Sequence, residues 1–244
     1  MKTRLILALL ALTLLTGQVF ADQIFSFSGT TSGGLAAGAT ADFSNFTASG
    51  FDVTLTNTSN VQQIGQTLTG ISFGLTSAPG GVSLGAVTPT SIWNCGNTGC
   101  AAGSGTSPYF WGTSKSSGST VALEAGTGTG GTQWHPFEIV NSSIFASCTG
   151  TVAHPKKCLD GLGNSEHNPY LMGPVLFHVN LTGYNGSLVI PGDVTFYFNT
   201  NGENGNGTCT RGCTPPRTPE PGAMSLLAAG FLGVAALFRR KLGK

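Results

Sequence analysis

Charge is what this chain has least of: Asp, Glu, Lys and Arg make up 9% of its 244 residues, 11 basic against 10 acidic. They are unevenly placed. Lys2 and Arg4 sit at one end and Arg239, Arg240, Lys241 and Lys244 at the other, which leaves five basic against ten acidic residues over 22–221, a net charge of −5. A sparse, mildly acidic middle without a basic patch argues against nucleic acid as a partner, because such proteins grip phosphates with Lys and Arg. Amphipathic helical periodicity is missing too, as is any long internal repeat, so helical bundles and solenoids are set aside. No C-x2-C pair is present, which removes the usual closely paired zinc ligands.

What is present begins with a leader. Lys2 and Arg4 precede an apolar core at 5–15, and Val19-Phe20-Ala21 then places small residues before Asp22. Eleven residues are too few to span a membrane, so residues 1–21 read as a secretory signal peptide, cut between Ala21 and Asp22. The partners this implies are the Sec translocon and signal peptidase.

The other end carries a second address. Pro219-Glu220-Pro221 is followed by 16 uncharged residues at 223–238 and then by Arg239, Arg240 and Lys241. A helix over about 222–238 is a short span that relies on Gly222 and on snorkelling basic side chains of the tail, residues 239–244. Basic residues at both ends favour a cytoplasmic location for both termini, leaving the middle outside the inner membrane. A glycosylphosphatidylinositol signal would end in its apolar tail, and a Gram-positive sortase signal would show Leu-Pro-x-Thr-Gly; neither pattern is found.

Residues 219–244 as a three-part arrangement resemble the PEP-CTERM sorting signal of Gram-negative bacteria. That resemblance implies processing by an exosortase, a membrane-embedded cysteine transpeptidase, with transient inner-membrane insertion before release to the outer surface or extracellular matrix. The basic end stops transfer and the helix parks the precursor. The prolines keep the preceding backbone extended and open to an enzyme.

Between the addresses, residues 22–207 read as one β-rich domain and 208–218 as an extended Pro-rich linker. In "FDVTLTN", Phe51, Val53 and Leu55 share one face and Asp52, Thr54 and Thr56 the other, the alternation of a half-buried strand. The same pattern marks Phe25 and Phe27, then Val175, Phe177, Val179 and Leu181, then Val194, Phe196 and Phe198. Further strands are expected near 39–47, 68–76, 82–87, 120–124 and 133–140. The expected class is all-β, an antiparallel sandwich or jelly roll, with a closed barrel as the alternative. "GTGTGG" at 126–131 and "NTNGENGNG" at 199–207 read as low-complexity loops. "ATADFSNFTASGFDVTLTNTSN", "LTGISFGL", "GPVLFHVNLTG" and "VTFYFNT" are also similar to strands of PEP-CTERM ectodomains, and that likeness brings no active site with it.

All six cysteines, Cys95, Cys100, Cys148, Cys158, Cys209 and Cys213, lie in the exported part, where oxidation favours disulfides. Six permit about fifteen pairings. Short separations make Cys95 with Cys100, Cys148 with Cys158 and Cys209 with Cys213 the simplest set. A zinc site from Cys148, His154, Cys158 and His167 is the rival; neither metal nor cofactor is expected.

Two catalytic patterns lose their context. "GTGTGG" satisfies G-x-G-x-x-G but leads into Pro136 and a strand pattern where a dinucleotide site needs a helix. "GVSLG" at 81–85, with Asp160 and His167 or His178 downstream, satisfies a hydrolase elbow but lies between Pro79 and Pro89 with no helical pattern. Asp42, Asp52, Glu124, Glu138, Asp160, Glu166 and Asp193 offer carboxylates for glycosidase chemistry, which sequence spacing does not pair. His178, flanked by Phe177 and Val179 on the opposite face, reads as a surface or edge residue.

Trp93, Tyr109, Phe110, Trp111 and Trp134 lie in or beside Gly/Ser-rich loops. There, flat rings either fill the core or stack on sugars. The expected function is that of a non-enzymatic surface or matrix protein, structural or adhesive; the resemblance to PEP-CTERM proteins, and nothing in the composition, implies association with extracellular polysaccharide or biofilm. A carbohydrate-binding module using Trp93, Tyr109, Trp111 and Trp134 and a secreted hydrolase are the alternatives. Mass spectrometry of the exported chain before and after mild reduction is expected to register three disulfides and no bound zinc. Free thiols with stoichiometric zinc would contradict this.

Overall fold

The structure, a computed structural model, describes residues 22–59, 64–96, 99–115, 118–126, 137–141, 168–184, 189, 193–199 and 202–213. Thirteen strands and one short 3-10 helix, η1 (Ile64–Gln66), make up its regular elements. In chain order the strands are β1 (Gln23–Thr30), β2 (Ala36–Thr47), β3 (Gly50–Asn57), β4 (Leu68–Gly74), β5 (Gly81–Gly96), β6 (Gly99–Ala102) and β7 (Trp111–Lys115). They continue with β8 (Thr120–Ala125), β9 (Ile139–Val140), β10 (Tyr170–Thr182), β11 (Thr195–Phe198), β12 (Glu203–Asn206) and β13 (Thr208–Arg211).

The alternation seen in the sequence decides which way each strand faces. On β3, Phe51, Val53 and Leu55 are fully buried while Asp52, Thr54 and Thr56 are half-buried on the other face. β1, β2, β3 and β10 pair in that order, with β5 on the far edge of β10 and β13 beside β1. β4 lies between β11 and β8, which lead out to β12 and β7. Rings from the first group meet rings from the second between strands that share no hydrogen bonds. Phe43 of β2 and Phe51 of β3 lie 4.9 Å and 5.7 Å from Phe73 of β4. Phe27 of β1 meets Phe198 of β11 at 5.7 Å, and Phe177 of β10 meets Trp111 of β7 at 4.7 Å. The core is therefore the space between two apolar faces.

A buried amide ties three elements together inside this space. Asn57, fully buried, donates from Nδ2 to the carbonyls of Gln66 (2.8 Å) and Ile139 (2.9 Å), tying β3 to η1 and β9. An unmet amide there would cost about 1–3 kcal/mol.

Four expectations need correction. The sheet is mixed, because β9 runs parallel to β10 through Leu171↔Ile139 and Met172↔Val140. The expected linker starts too early: β13 pairs with β1, and the first compact unit extends through Cys213. Asn199–Gly207 is not all loop, since Glu203–Asn206 forms β12 against β11. The strand expected at 82–87 runs from Gly81 to Gly96, through Pro89. Pro89 is tolerated because it pairs beside the register shift between Met172 and Val175 of β10, and β6 covers the other edge of β5 only from Trp93 to Gly96. Of the strand expected at 133–140, Ile139–Val140 is seen and residues 133–136 lie outside the described residues.

Phe43 is fully buried and touches Phe25, Phe51 and Phe73. Phe43→Ala is expected to lower unfolding stability by about 3–5 kcal/mol, read by chemical denaturation. A loss below about 1 kcal/mol would contradict its place in a packed core.

Candidate functional site

Two groups of predicted residues fall within the described structure: the cysteines that staple strand ends and the aromatic residues. Cys209, on β13, is disulfide-bonded to Cys213 with 6.1 Å between Cα atoms. The bond closes the end of the last strand immediately before the segment that leads to Pro219. Cys95, buried on β5, is also disulfide-bonded, and Cys100 is its register partner on β6. Asn168 extends the ladder there: its Oδ1 accepts from the Cys95 amide and its Nδ2 donates to the Cys95 carbonyl, both at 2.7 Å. Cys148 and Cys158, and the rival zinc set with His154 and His167, lie outside the described residues. Among the described residues no group of three or more His, Cys, Asp or Glu is placed to hold a metal ion.

The five aromatic candidates separate. Trp111 is a core residue, 2% exposed, with its ring on Phe177 and its Nε1 donating to the Phe137 carbonyl at 2.8 Å. It is therefore not available for stacking on a ligand, because β7 turns it inward. Trp93 is half-buried on β5 and donates from Nε1 to Ser91 Oγ at 2.8 Å. Trp134 lies outside the described residues.

Tyr109 and Phe110 remain together. Both have positive φ, 54° and 58°, and so does Phe137 at 67°. The Phe110 ring lies 5.7 Å from that of Phe137 with 18° between their planes, and the Tyr109 ring lies 5.4 Å from it. Side chains with a Cβ rarely adopt this backbone conformation, and holding one there costs about 1–3 kcal/mol. The conformation turns Phe110 outward, 47% exposed, while Trp111 next to it points in. Phe137 is a member of this group that sequence reasoning missed; its only signal is an aromatic residue after His135-Pro136.

The candidate carboxylates take separate places among the described residues. Glu138 is fully buried, and burial, then its negative charge, push the Tyr170 phenol far up. Asp52 is cross-strand partner to His178, Nδ1 to Oδ1 2.7 Å, and also accepts from Asn45 Nδ2 at 2.7 Å. His178 is thus a surface residue on a central strand rather than an edge one. Glu124 lies on β8 and Asp193 ahead of β11, while Asp160 and Glu166 are outside the described residues. "GVSLG" begins β5, with Ser83 opposite Asn180, so the strand-to-helix turn of a hydrolase elbow is absent at that segment.

Pro219, Glu220, Pro221, Arg239, Arg240 and Lys241 lie outside the described residues, as does Ala21; Asp22 is the first described residue and is exposed. No helix among the described residues is long and apolar enough to cross a membrane, and the expected span at 222–238 is not among them. Residues 217–241 match the family model of the PEP-CTERM protein-sorting motif. The chain carries a PEP-CTERM motif. Its limits enclose the Pro-Glu-Pro triplet, the apolar run and the first three basic residues. The PEP-CTERM motif marks an exported protein that is processed by exosortase and anchored transiently in the membrane. No curated protein and no solved structure matches the chain.

Replacing both Cys209 and Cys213 by Ser is expected to cost about 2 kcal/mol of stability, the loop-closure term for so short a ring. Equilibrium denaturation of wild type and double variant under oxidising conditions measures it. Equal midpoints would show that β13 needs no staple.

Proposed function

We propose that this protein is a non-enzymatic, disulfide-stapled β-sandwich that acts as a structural or adhesive component of the outer surface or extracellular matrix. Its associate in this reading is extracellular polysaccharide or biofilm material. The observation that carries the reading is the PEP-CTERM motif at 217–241 following a compact β unit that ends at Cys213. The facing apolar strands support the sandwich over a closed barrel, since the path of paired strands ends at β12 and β13 and these do not pair with each other. Low charge suits a neutral polymer, whose hydroxyls hydrogen-bond without needing ionic partners. Asp22 begins the mature chain after signal peptidase, and residues 222–238 hold the precursor in the inner membrane as a short helix.

The proline pair would keep Glu220 in an extended, accessible backbone for the processing enzyme. In the native host, replacing Pro219, Glu220 and Pro221 together by alanine is expected to leave full-length chain in the inner-membrane fraction, while wild type leaves that fraction. If the variant were processed and released like wild type, the triplet would not be the recognised element.

A second reading, a carbohydrate-binding module, is favoured by one feature: the outward ring of Phe110 held against Phe137 and Tyr109 by three positive-φ residues. An exposed ring stacks on the apolar face of a sugar, worth about 1 kcal/mol or more beyond area burial. Phe110→Ala is expected to weaken binding to the host's own extracellular polysaccharide by about fivefold or more in a co-sedimentation assay. Unchanged binding would remove the ledge from this role. A secreted hydrolase is the least supported reading, with the G-x-S-x-G segment placed in β5.

A further inference from the structure

Asp42 stands on β2 opposite Ile24 of β1 and Thr54 of β3, and Ile24 stands opposite Arg211 of β13. Its neighbours Ala41 and Phe43 are fully buried in the core, so Asp42 projects from the other face of the sheet. There its Oδ1 is buried and receives no hydrogen bond among the described residues. Burial, and after it the negative charge of Asp22, push the Asp42 carboxyl up; Arg211 acts in the opposite direction and does not cancel them. A cation at a covered carboxylate oxygen with an acid nearby would be favoured, and among the described residues none bonds to it.

The nitrogen of Asp22 is the group that changes. In the precursor it is a neutral amide. When water is added across the Ala21–Asp22 bond, Ala21 keeps a carboxylate and Asp22 gains an α-ammonium carrying a full positive charge. The position of Asp22 is fixed by its neighbours. Gln23 is fully buried: its Oε1 accepts from the Val189 amide at 2.7 Å, and its Nε2 lies 3.4 Å from the carbonyls of Val189 and Gly212. Gly212, with φ 73°, approaches so closely that a Cβ there would run into the Asp22 carbonyl. Such anchoring is unlike the fraying usual at a chain start.

We propose that the α-ammonium created at Asp22 docks against the Asp42 carboxylate, so that signal-peptide cleavage supplies the partner that this carboxylate lacks in the precursor. The proposal rests on a cut between Ala21 and Asp22. The sign follows from linkage. With the nitrogen blocked, the raised Asp42 carboxyl makes ionisation costly, so stability falls as pH rises through the carboxylate range. With the ammonium docked, the ionised form is favoured; the stability it adds is present at neutral pH and is lost as pH falls through the lowered value. The charged groups around the pair are Asp22 itself and Arg211; β3 presents the neutral Thr54 opposite Asp42 and, on the same face, Asp52 opposite Ser44, bonded to His178.

The test uses the chain from Asp22 to Lys244 in detergent micelles, with the N-terminus free or acetylated, each as wild type and as Asp42→Asn. Thermal melting is followed by tryptophan fluorescence between about pH 3 and about pH 7. The free form is expected to melt about 2–4 °C above the acetylated form at neutral pH, and the difference should vanish at the acid end. Asp42→Asn should raise the melting temperature of the acetylated chain and lower that of the free chain. Equal melting of the two wild-type forms at neutral pH, or the same sign of the Asp42→Asn effect in both, overturns the docking. Mass mapping of the exported chain reports separately on the cut: a start other than Asp22 overturns the premise, whatever the melting shows.

Discussion

The fold depends on one opposition: the apolar faces of β1, β2, β3 and β10 close against those of β4, β8 and β11. Phe43 sits at its centre, in edge contact with Phe25 on its own side and with Phe73 across the gap. A chain with 37 glycines loses much backbone entropy on folding, and burial of large rings is the term that offsets it. The same opposition positions the candidate ledge. Trp111 is drawn into the core against Phe177 and hydrogen-bonds the Phe137 carbonyl, which holds the strained backbone of Tyr109 and Phe110 in place.

Where burial writes a period-two pattern, the sequence is readable. β3 and β10 from Val175 onward alternate cleanly, and their inward residues are identifiable as core from the order of residue types alone; β8 buries Val121, Ala122 and Leu123 in succession, and β1 turns the polar Gln23 inward. β6, β12 and β13 are hard to see for a common reason. "GCAA", "ENGN" and "TCTR" are four-residue strands at or near sheet edges, so they bury little and leave no alternation to read. The parallel β9 is hidden because two residues carry no period, and strand direction is set by the fold around them.

The candidate sites divide along the same line. Pro219, Glu220, Pro221 and the basic tail are legible because an address is recognised as sequence. The aromatic ledge is legible only in part. Nothing in "SPYFWG" says that Tyr109 and Phe110 take up a left-handed conformation, a role that glycine usually signals, or that Trp111 turns inward. Asp42 reads as any strand-face acid until the register of β1, β2 and β13 places it near both Asp22 and Arg211.

This protein is thus two things joined end to end: a β unit whose first and last strands pair with each other, and an address that follows Cys213. The central claim is that the address is used and not merely carried. Mass mapping of the C-terminus of the protein recovered outside the inner membrane of the native host tests it most directly. The account predicts a chain that ends at or near Pro219–Glu220–Pro221, without the apolar run and Arg239, Arg240 and Lys241. A chain still ending at Lys244 and resident in the inner membrane would contradict it.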